Sequence, residues 1–418
     1  MSKVLKLRDS PVALTTATSA FNSVATVIAG IALARALGPS GRGQLAAMLL
    51  WASVAVDVAS FGIPDSLAYF SAASPLRRRG VAAYCFARLP FIWAFSMLIF
   101  FAMASTSRRA AEEIPGEVFV IFVVWIAARS TSTMILRLAQ GSSDFPLYNF
   151  MSLAAQAGPA VALFLLWRQE MLTLLIAGLV YTMGLFVVLV LGIWRRNVLA
   201  PQATVPTAAA APAGFWRYSA WSAMSVIARK GNRTVDLFII TLVATAAETG
   251  TYAVAVSSSF SIVVVGTAIG VVLLPRTAGA VTPRSRSVVI RSLLKLGGVL
   301  VGGLGITYFV LAEVLIPLVY GSSFSAAVPL GRILVLGAAA VAISEITSAA
   351  LRGVGKPRSV ALSEVAGGGI TVLLALGFAR TLSGVAVAAT IGYTATLAIQ
   401  FVTLHQALAL LADRKTSQ

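Results

Sequence analysis

Long runs of apolar residues are the feature that most restricts what this chain can fold into. Each run is close to or above the ~20 residues that an α-helix needs to cross the hydrocarbon core of a bilayer. Only 11% of the 418 residues are charged, whereas soluble domains carry about a quarter. Backbone polar groups inside a bilayer must be hydrogen-bonded within the segment, which favours helices. The sequence therefore predicts an all-α polytopic membrane protein.

The apolar runs predict about twelve transmembrane helices. Their expected ranges are 12–34, 44–70, 81–105, 116–138, 147–167, 172–194, 215–243, 250–275, 292–318, 328–350, 360–380 and 384–411.

A Pro- and Ala-rich segment, "APQATVPTAAAAPAG" at 200–214, separates the sixth and seventh predicted helices. Its composition is typical of a linker. We therefore expect two six-helix lobes, at 1–199 and 215–418, joined by a cytoplasmic linker.

Short similarities between the two halves support a duplication. "GRGQLAAM" resembles "ETGTYAVA", and "ILRLAQGSSDFP" resembles "ALRGVGKPRSVA". With six helices in each half, the repeats are expected to be parallel, related by an axis along the membrane normal, with a cavity between them.

The distribution of Lys and Arg indicates the orientation. An even number of spans places both termini on one side, and that side has about three times as many Lys and Arg as the other. Both termini are therefore expected in the cytoplasm. Because topology accounts for much of the net charge of +18, no nucleic-acid partner is expected.

Cys85 and His405 are the only cysteine and the only histidine. A disulfide within the chain is excluded, and a zinc site, a His-based triad and a haem pocket have too few ligands. A membrane enzyme would need a large external loop or a carboxylate cluster at a membrane face, and neither is apparent. We therefore expect no catalytic residues, no metal site and no cofactor.

The stretch "VIARKGNRTVDLFII" at 226–240 places Arg229, Lys230, Arg233 and Asp236 within an apolar surrounding. Residues 215–228 or 235–247 alone would reach only about 20 Å at ~1.5 Å per residue. A bilayer core measures ~30 Å. Only the joined segment spans the membrane, so the charges lie inside the seventh helix.

These charges are expected to face protein or water. Each Arg or Lys facing lipid would cost roughly 2.5–3.5 kcal/mol, and the spacing places most of the polar side chains on one helix face. This face is predicted to carry Ser222, Ser225, Arg229, Arg233 and Asp236. Asp236 is expected to neutralise Arg233, which leaves an excess of positive charge.

Two interpretations of the excess remain open. In the first, Asp57, Glu345 and Glu364 on other helices complete the neutralisation. In the second, the excess binds an anionic substrate such as phosphate or pyrophosphate, which guanidinium groups bind in a bidentate manner.

Other predicted helices carry polar residues at helical spacing. Arg129 leads such a series on the fourth helix, and Glu345 begins another on the tenth. Gly62 and Pro64 are expected to break the second helix shortly after Asp57. The acidic residues Asp57, Asp65, Glu345 and Glu364 are predicted to be partners of the arginines or to take H⁺ or Na⁺ in a coupling cycle.

Several segments, in this order, resemble bacterial polysaccharide-biosynthesis flippases. They are "ARALGPSGRGQLA" (34–46), "VASFGIPDSLAYFSA" (58–72), "NRTVDLFII" (232–240), "YGSSFSAAVPLGRIL" (320–334) and "LRGVGKPR" (351–358). These O-antigen and capsule flippases belong to the multidrug/oligosaccharidyl-lipid/polysaccharide exporter (MOP) superfamily. The resemblance covers nearly the whole chain. It implies a two-lobed MATE-like bundle in the bacterial plasma (inner) membrane.

The same resemblance implies a function and its site. The chain would carry a polyprenyl-pyrophosphate-linked saccharide from the inner to the outer leaflet by alternating access, with membrane lipid around the prenyl tail. Arg229, Lys230, Arg233 and Arg129 would contact the pyrophosphate or acidic sugars. Arg229 next to Lys230 is more basic than the family pattern, so both anionic groups remain candidates. The alternative function is a cation/drug antiporter of the same superfamily, which would favour a net acidic cavity.

Overall fold

The structure is a computed structural model that describes residues 11–73, 75–107, 114–195, 211–278, 283–354, 356–378 and 381–413. All regular secondary structure in these ranges is helical. The α-helices there are α1 (Pro11–Ala59), α2 (Ile63–Ala73), α3 (Arg78–Phe86), α4 (Leu89–Thr106), α5 (Gly116–Gly141), α6 (Phe145–Arg168), α7 (Leu174–Trp194), α8 (Phe215–Val243), α9 (Ala246–Ser259), α10 (Val263–Ala278), α11 (Pro283–Tyr320), α12 (Ala327–Gly353), α13 (Pro357–Phe378) and α14 (Leu382–Asp413). Short 3₁₀ turns are Pro75–Arg77, Phe260–Ile262 and Ser322–Phe324.

Ten helical segments of the described chain are long and apolar enough to cross a membrane. One of them lies in α1, which contains two consecutive helices because Gly38 leaves the helical conformation, with φ 63° and ψ −175°. The 29-residue helix α8 is not among the ten, but at ~1.5 Å per residue it exceeds the thickness of a bilayer core. With α1 divided at Gly38 and α8 included, the described helices match the predicted spans and confirm a polytopic all-helical membrane protein.

The predicted break in the second span is confirmed. The helical chain stops at Ala59 and resumes at Ile63. Between them Phe61 and Gly62 have positive φ angles of 45° and 70°. Pro64 lies in the first turn of α2, where the missing N–H costs nothing. The eighth span has a similar interruption, the 3₁₀ turn Phe260–Ile262 between α9 and α10.

Two expected boundaries were wrong. The loop expected at 35–43 is reduced to the single non-helical residue Gly38. Helix α11 begins at Pro283, well before the expected 292. The span expected at 81–105 lies within one candidate membrane span, Arg78–Thr106, although a short turn separates α3 from α4 there. Hydropathy marks where a helix enters lipid, but it does not mark where the helix continues into the polar region.

The described chain contains two compact units. The first runs to Ile227 and includes Thr245–Ala247, and the second comprises Ala228–Ala244 and the chain from Glu248. Helix α8 therefore begins in the first unit and ends in the second. The predicted lobes at 1–199 and 215–418 stay a prediction, because 196–210, which hold most of the 200–214 linker, lie outside the described residues.

Packing within each unit supports the duplication. In the first unit α2 packs on α5, and α7 packs on both α5 and α6. In the second unit α10 packs on α12, and α14 packs on both α12 and α13. These are the same pairs when the helices of the second half are counted from α8, so the two halves share one pattern of internal packing.

A buried asparagine joins corresponding helices in each half. Asn22 of α1 donates to the hydroxyl of Ser152 of α6 at 3.1 Å. Asn232 of α8 donates to the carboxylate of Glu364 of α13 at 2.7 Å. All four residues are at most 9% exposed, so each contact lies inside its own unit.

Buried apolar side chains form a separate core in each unit. The core of the first unit includes Ile63, Leu67, Cys85, Met134 and Phe215. That of the second unit includes Leu273, Ile290, Ile346, Leu351 and Leu404. Large apolar side chains are also strongly exposed, for example Phe91 at 69%, Val299 at 73% and Leu373 at 72%. Apolar surface on this scale is expected of helices that face lipid.

The break at Gly62 generates a first prediction, because α8 packs directly against it. A Cβ at Gly62 would collide with the backbone oxygen of Ser219 and lie 2.8 Å from the nitrogen of Ala223. The positive φ adds strain for any other residue. Gly62→Ala is expected to destabilise the protein by about 1–3 kcal/mol, measured as a lower midpoint of thermal unfolding in detergent.

Gly303→Ala is the matched control, because a Cβ there meets no atom within 4 Å. Equal unfolding midpoints for the two variants would show that the contact between the break and α8 is not important for stability.

Candidate functional site

Helix α8 runs without interruption through the four charged residues predicted to lie inside the membrane. Their exposure decreases along the helix. Arg229 is exposed, Lys230 and Arg233 are half-buried, and Asp236 is only 1% exposed. The carboxylate therefore lies inside the second unit, whereas the first guanidinium remains open.

The partner of Arg233 is Glu345 of α12, to which it donates a hydrogen bond within an ion pair. The side chains are 29% and 16% exposed, respectively. The expected pairing of Arg233 with Asp236 was therefore wrong. A carboxylate from another helix can approach the guanidinium end-on, which Asp236, one helical turn away on the same helix, does not do here.

Asp236 is hydrogen-bonded by a tyrosine. The hydroxyl of Tyr252 on α9 donates to its carboxylate at 2.8 Å, and Tyr393 of α14 lies close enough to interact electrostatically with it. Both tyrosines are fully buried. Asp236 thus belongs to a buried network of α8, α9 and α14.

Three arginines and two glutamates of the second unit are electrostatically coupled, and we call them the basic cluster. Its members are Arg229, Arg233, Glu345, Arg352 and Glu364. Arg352 interacts with both other arginines and with both glutamates. Three cations and two carboxylates leave one positive charge in excess, without counting Lys230 on the same helix.

Glu364 receives a hydrogen bond from an amide, and none from a Lys or Arg of the described chain. The amide nitrogen of Asn232 donates to Glu364 and, at 3.1 Å, to the hydroxyl oxygen of Thr396 on α14. The amide oxygen of Asn232 is buried and has no hydrogen-bond partner among the described residues. Carboxylate, hydroxyl and amide oxygens thus meet where α8, α13 and α14 approach one another.

Arg129 lies in the first unit and is half-buried on α5. Asp57 of α1 acts on it as the neighbouring negative charge. It lines a cavity of about 260 Å³ together with Trp125, Gln156 and Tyr181.

An ion pair of the first unit involves Asp65, one of the carboxylates expected to be partners of the arginines. Arg137 of α5 contacts Asp65 of α2 at 2.9 Å, and Ser222 of α8 donates to the same carboxylate at 2.6 Å. Tyr69 and Tyr218 stack beside it with their centroids 4.4 Å apart. These contacts hold the first turns of α8 on the helix that follows the break at Gly62.

Sequence reasoning missed Asn232, Tyr252 and Thr396 as members of these networks. Asn232 had a signal, because an amide inside a membrane helix needs a partner. The tyrosine and the threonine had none, since either residue is common in apolar helices. Among the described residues, no group of three or more His, Cys, Asp and Glu side chains is placed to hold a metal ion.

Solved structures with the same fold are transporters. A multidrug resistance MATE family transporter of the MOP superfamily, inward-facing, aligns with a TM-score of 0.75 and 12% identity over 95% of this chain and 96% of that one. The lipid II flippase MurJ, inward closed, aligns with a TM-score of 0.72 and 11% identity over 95% of this chain and 89% of that one. A MATE protein in complex with MaL6 aligns with a TM-score of 0.63 and 12% identity over 97% and 98% of the two chains.

These likenesses show the fold, a MATE- and MurJ-like helical bundle, at identities too low to show more. No protein-family model and no curated protein matches the sequence.

The Arg233–Glu345 pair generates a second prediction. Arg233→Ala would leave Glu345 partly buried without its cation, and we expect a loss of stability on the order of 3 kcal/mol. The measurement is the thermal unfolding midpoint in detergent. Adding Glu345→Ala to this variant should recover part of the loss, because the uncompensated charge is removed.

Arg332→Ala provides the control, since its partner Glu313 is 76% exposed and such pairs contribute little. An Arg233→Ala midpoint equal to that of Arg332→Ala would mean that the ion pair is not a structural contact.

Proposed function

We propose that this protein is a membrane transporter that moves a polyprenyl-pyrophosphate-linked saccharide from the inner to the outer leaflet of the bacterial plasma (inner) membrane. It would work by alternating access and serve cell-surface polysaccharide biosynthesis, with both termini in the cytoplasm. The protein would not be an enzyme, because the cargo changes leaflet and not covalent structure.

The observation that carries this proposal is the excess positive charge of the basic cluster. A membrane helix that places Arg229 on its open side would lose several kcal/mol if that side faced lipid. The cost is avoided when the guanidinium meets water or an anion. Pyrophosphate supplies a compact anion with oxygen pairs that match guanidinium geometry.

Arg229, Lys230 and Arg233 are proposed to contact the anionic part of the cargo. Their roles differ. Glu345 holds the guanidinium of Arg233 in place. The N–H groups of Arg233 that do not face Glu345 can donate hydrogen bonds to the substrate. Arg229 is exposed and forms the first contact. Arg352 of α12 joins them as a third guanidinium.

A cation/drug antiporter of the same superfamily is the second candidate function, since the fold is shared by MATE transporters and MurJ. The buried carboxylates of Asp236 and Glu364 favour it. A cavity for cationic drugs would, however, need an acidic excess, and the basic cluster has the opposite sign.

A flipping assay tests the main proposal. The purified protein is placed in liposomes with a fluorescent polyprenyl-pyrophosphate saccharide, and a quencher added outside reports transfer between leaflets. Arg229→Gln removes an exposed charge that forms no ion pair with the described residues. It is expected to slow flipping about tenfold or more, the value of one charge-assisted hydrogen bond. Arg229→Ala combined with Arg233→Ala should abolish it.

Arg332→Gln, which removes an arginine outside the cluster, is the matched control and should flip at the wild-type rate. All variants are first checked for a single peak in gel filtration and for their unfolding midpoint. Flipping at the wild-type rate in the folded double variant would refute the site. Absence of flipping by wild-type protein with several saccharides, together with export of a cationic dye, would establish the antiporter.

Ion coupling is proposed to act through Glu364. Its carboxylate is 4% exposed, and no Lys or Arg of the described chain forms an ion pair with it. Asn232 and Thr396 place further oxygens beside it. Such a group can exchange H⁺ or Na⁺ without breaking a salt bridge.

Glu364→Gln is expected to keep the hydrogen bond from Asn232 and to remove the exchangeable charge. Flipping driven by an imposed H⁺ or Na⁺ gradient should then fall to the rate seen without a gradient. Asp65→Asn is the control, since that carboxylate already holds Arg137 at 2.9 Å. Unchanged acceleration by the gradient in Glu364→Gln would exclude this role.

A further inference from the structure

A cavity of about 260 Å³ lies entirely within the first unit, where α1, α5, α6 and α7 meet. Its polar lining includes Thr26, Ser53, Trp125, Arg129, Gln156 and Tyr181. Every residue of this lining precedes α8, so the cavity is distinct from the basic cluster.

The cavity is rich in hydrogen-bond donors that the protein leaves unused. Within the described part of the chain, the guanidinium of Arg129, the indole N–H of Trp125 and the hydroxyl of Tyr181 donate no hydrogen bond. A guanidinium alone offers five N–H groups. The amide of Gln156 is oriented by its own donation to Ser152 at 3.2 Å, which leaves its oxygen as an acceptor.

These donors need hydrogen-bond acceptors from a molecule inside the cavity. Donors at membrane depth that find no partner are costly, and this cost is relieved by water or by an anion. A donor set centred on an arginine selects an anion over a neutral molecule. Its charge is limited, because Asp57 already acts on Arg129. The combined charge of Arg129 and Asp57 favours a monoanion over a phosphate, which carries about −1.5 to −2 charges near neutral pH.

The volume and the apolar lining narrow the occupant further. Pockets for drug-sized ligands measure about 300–1,000 Å³, so this one is suited to a single ring and not to an extended chain. Trp125, Ala29 and Leu185 supply an apolar wall that can pack against the face of a sugar. Tyr181 and Gln156 supply partners for its hydroxyl groups.

We infer that this cavity binds an acidic monosaccharide unit, with its carboxylate on Arg129 and its ring against Trp125. The inference rests on the proposed function and deepens it. The pyrophosphate is assigned to the basic cluster and the carboxylate of the saccharide to the first unit. Arg129 thereby becomes the residue that distinguishes acidic from neutral saccharides.

Equilibrium binding to the full-length purified protein tests the site directly. The probes are radiolabelled D-glucuronate, D-glucose and inorganic phosphate. Wild-type protein is expected to bind glucuronate about tenfold or more tightly than glucose, the value of one charge-assisted contact. Arg129→Gln should remove this preference, whereas Arg332→Gln should keep it.

Three outcomes would overturn the inference. They are equal affinity of wild-type protein for glucuronate and glucose, a preference that survives in Arg129→Gln, and phosphate that binds more tightly than glucuronate. Since Arg129→Gln must be folded for a valid comparison, its unfolding midpoint is measured first. If that variant is unstable, the variant Trp125→Phe is tested in its place. It should weaken the binding of glucuronate and of glucose to the same extent.

A flipping assay separates failure of this inference from failure of the proposed function. Two lipid-linked substrates differ only in one sugar, a glucuronate or a glucose. Arg129→Gln is expected to slow the acidic substrate about tenfold more than the neutral one. Equal effects on both would refute the acidic-sugar site and leave the flippase standing. Tight glucuronate binding without flipping of either substrate would keep the site and refute the flippase.

Discussion

The cost of placing charge in hydrocarbon is the constraint on which the rest of this structure depends. Within its membrane helices the chain pairs cations with carboxylates from other helices: Arg233 with Glu345, and Arg137 with Asp65. Each pair joins helices that are distant in sequence and fixes which face of each turns inward. Because an isolated charge would cost several kcal/mol there, removing either partner of a pair would destabilise the arrangement. Where cations exceed carboxylates, the same cost is relieved by water or by an anion, and the proposed function depends on the second of these.

Much of the fold could be predicted from the sequence, because lipid imposes a simple rule on it. Hydropathy found the spans, and the Gly62–Pro64 pair predicted the break after Ala59. The thickness of the bilayer core also required α8 to be one helix despite its charges. The partners of individual side chains could not be predicted, and the reason is also physical. Asp236 was assigned to Arg233 because they are neighbours on one helix, but a tyrosine from α9 reaches it instead. A side chain's partner depends on which helices pack together, and apolar runs of similar length carry little information about that.

The candidate site illustrates how little a fold determines about cargo. A MATE transporter and the MurJ flippase have a fold similar to that of this chain, and the function of a fold depends on the side chains of its site. Here those side chains have a definite sign, with three guanidinium groups against two carboxylates in the basic cluster. Arg352 belongs to that cluster through space, although nothing in its local sequence connects it with α8. The excess positive charge of the basic cluster, and not the fold, favours the proposed flippase over the cation/drug antiporter.

The two asparagine contacts have a consequence for how the duplicated halves respond to an electric field. In the first half Asn22 meets Ser152, so the contact is neutral. In the second half Asn232 meets Glu364, so the same place in the framework holds an ionisable group. Two copies of one architecture are therefore electrically unequal at this place. At this place a membrane potential or an ion gradient would therefore act on one copy only.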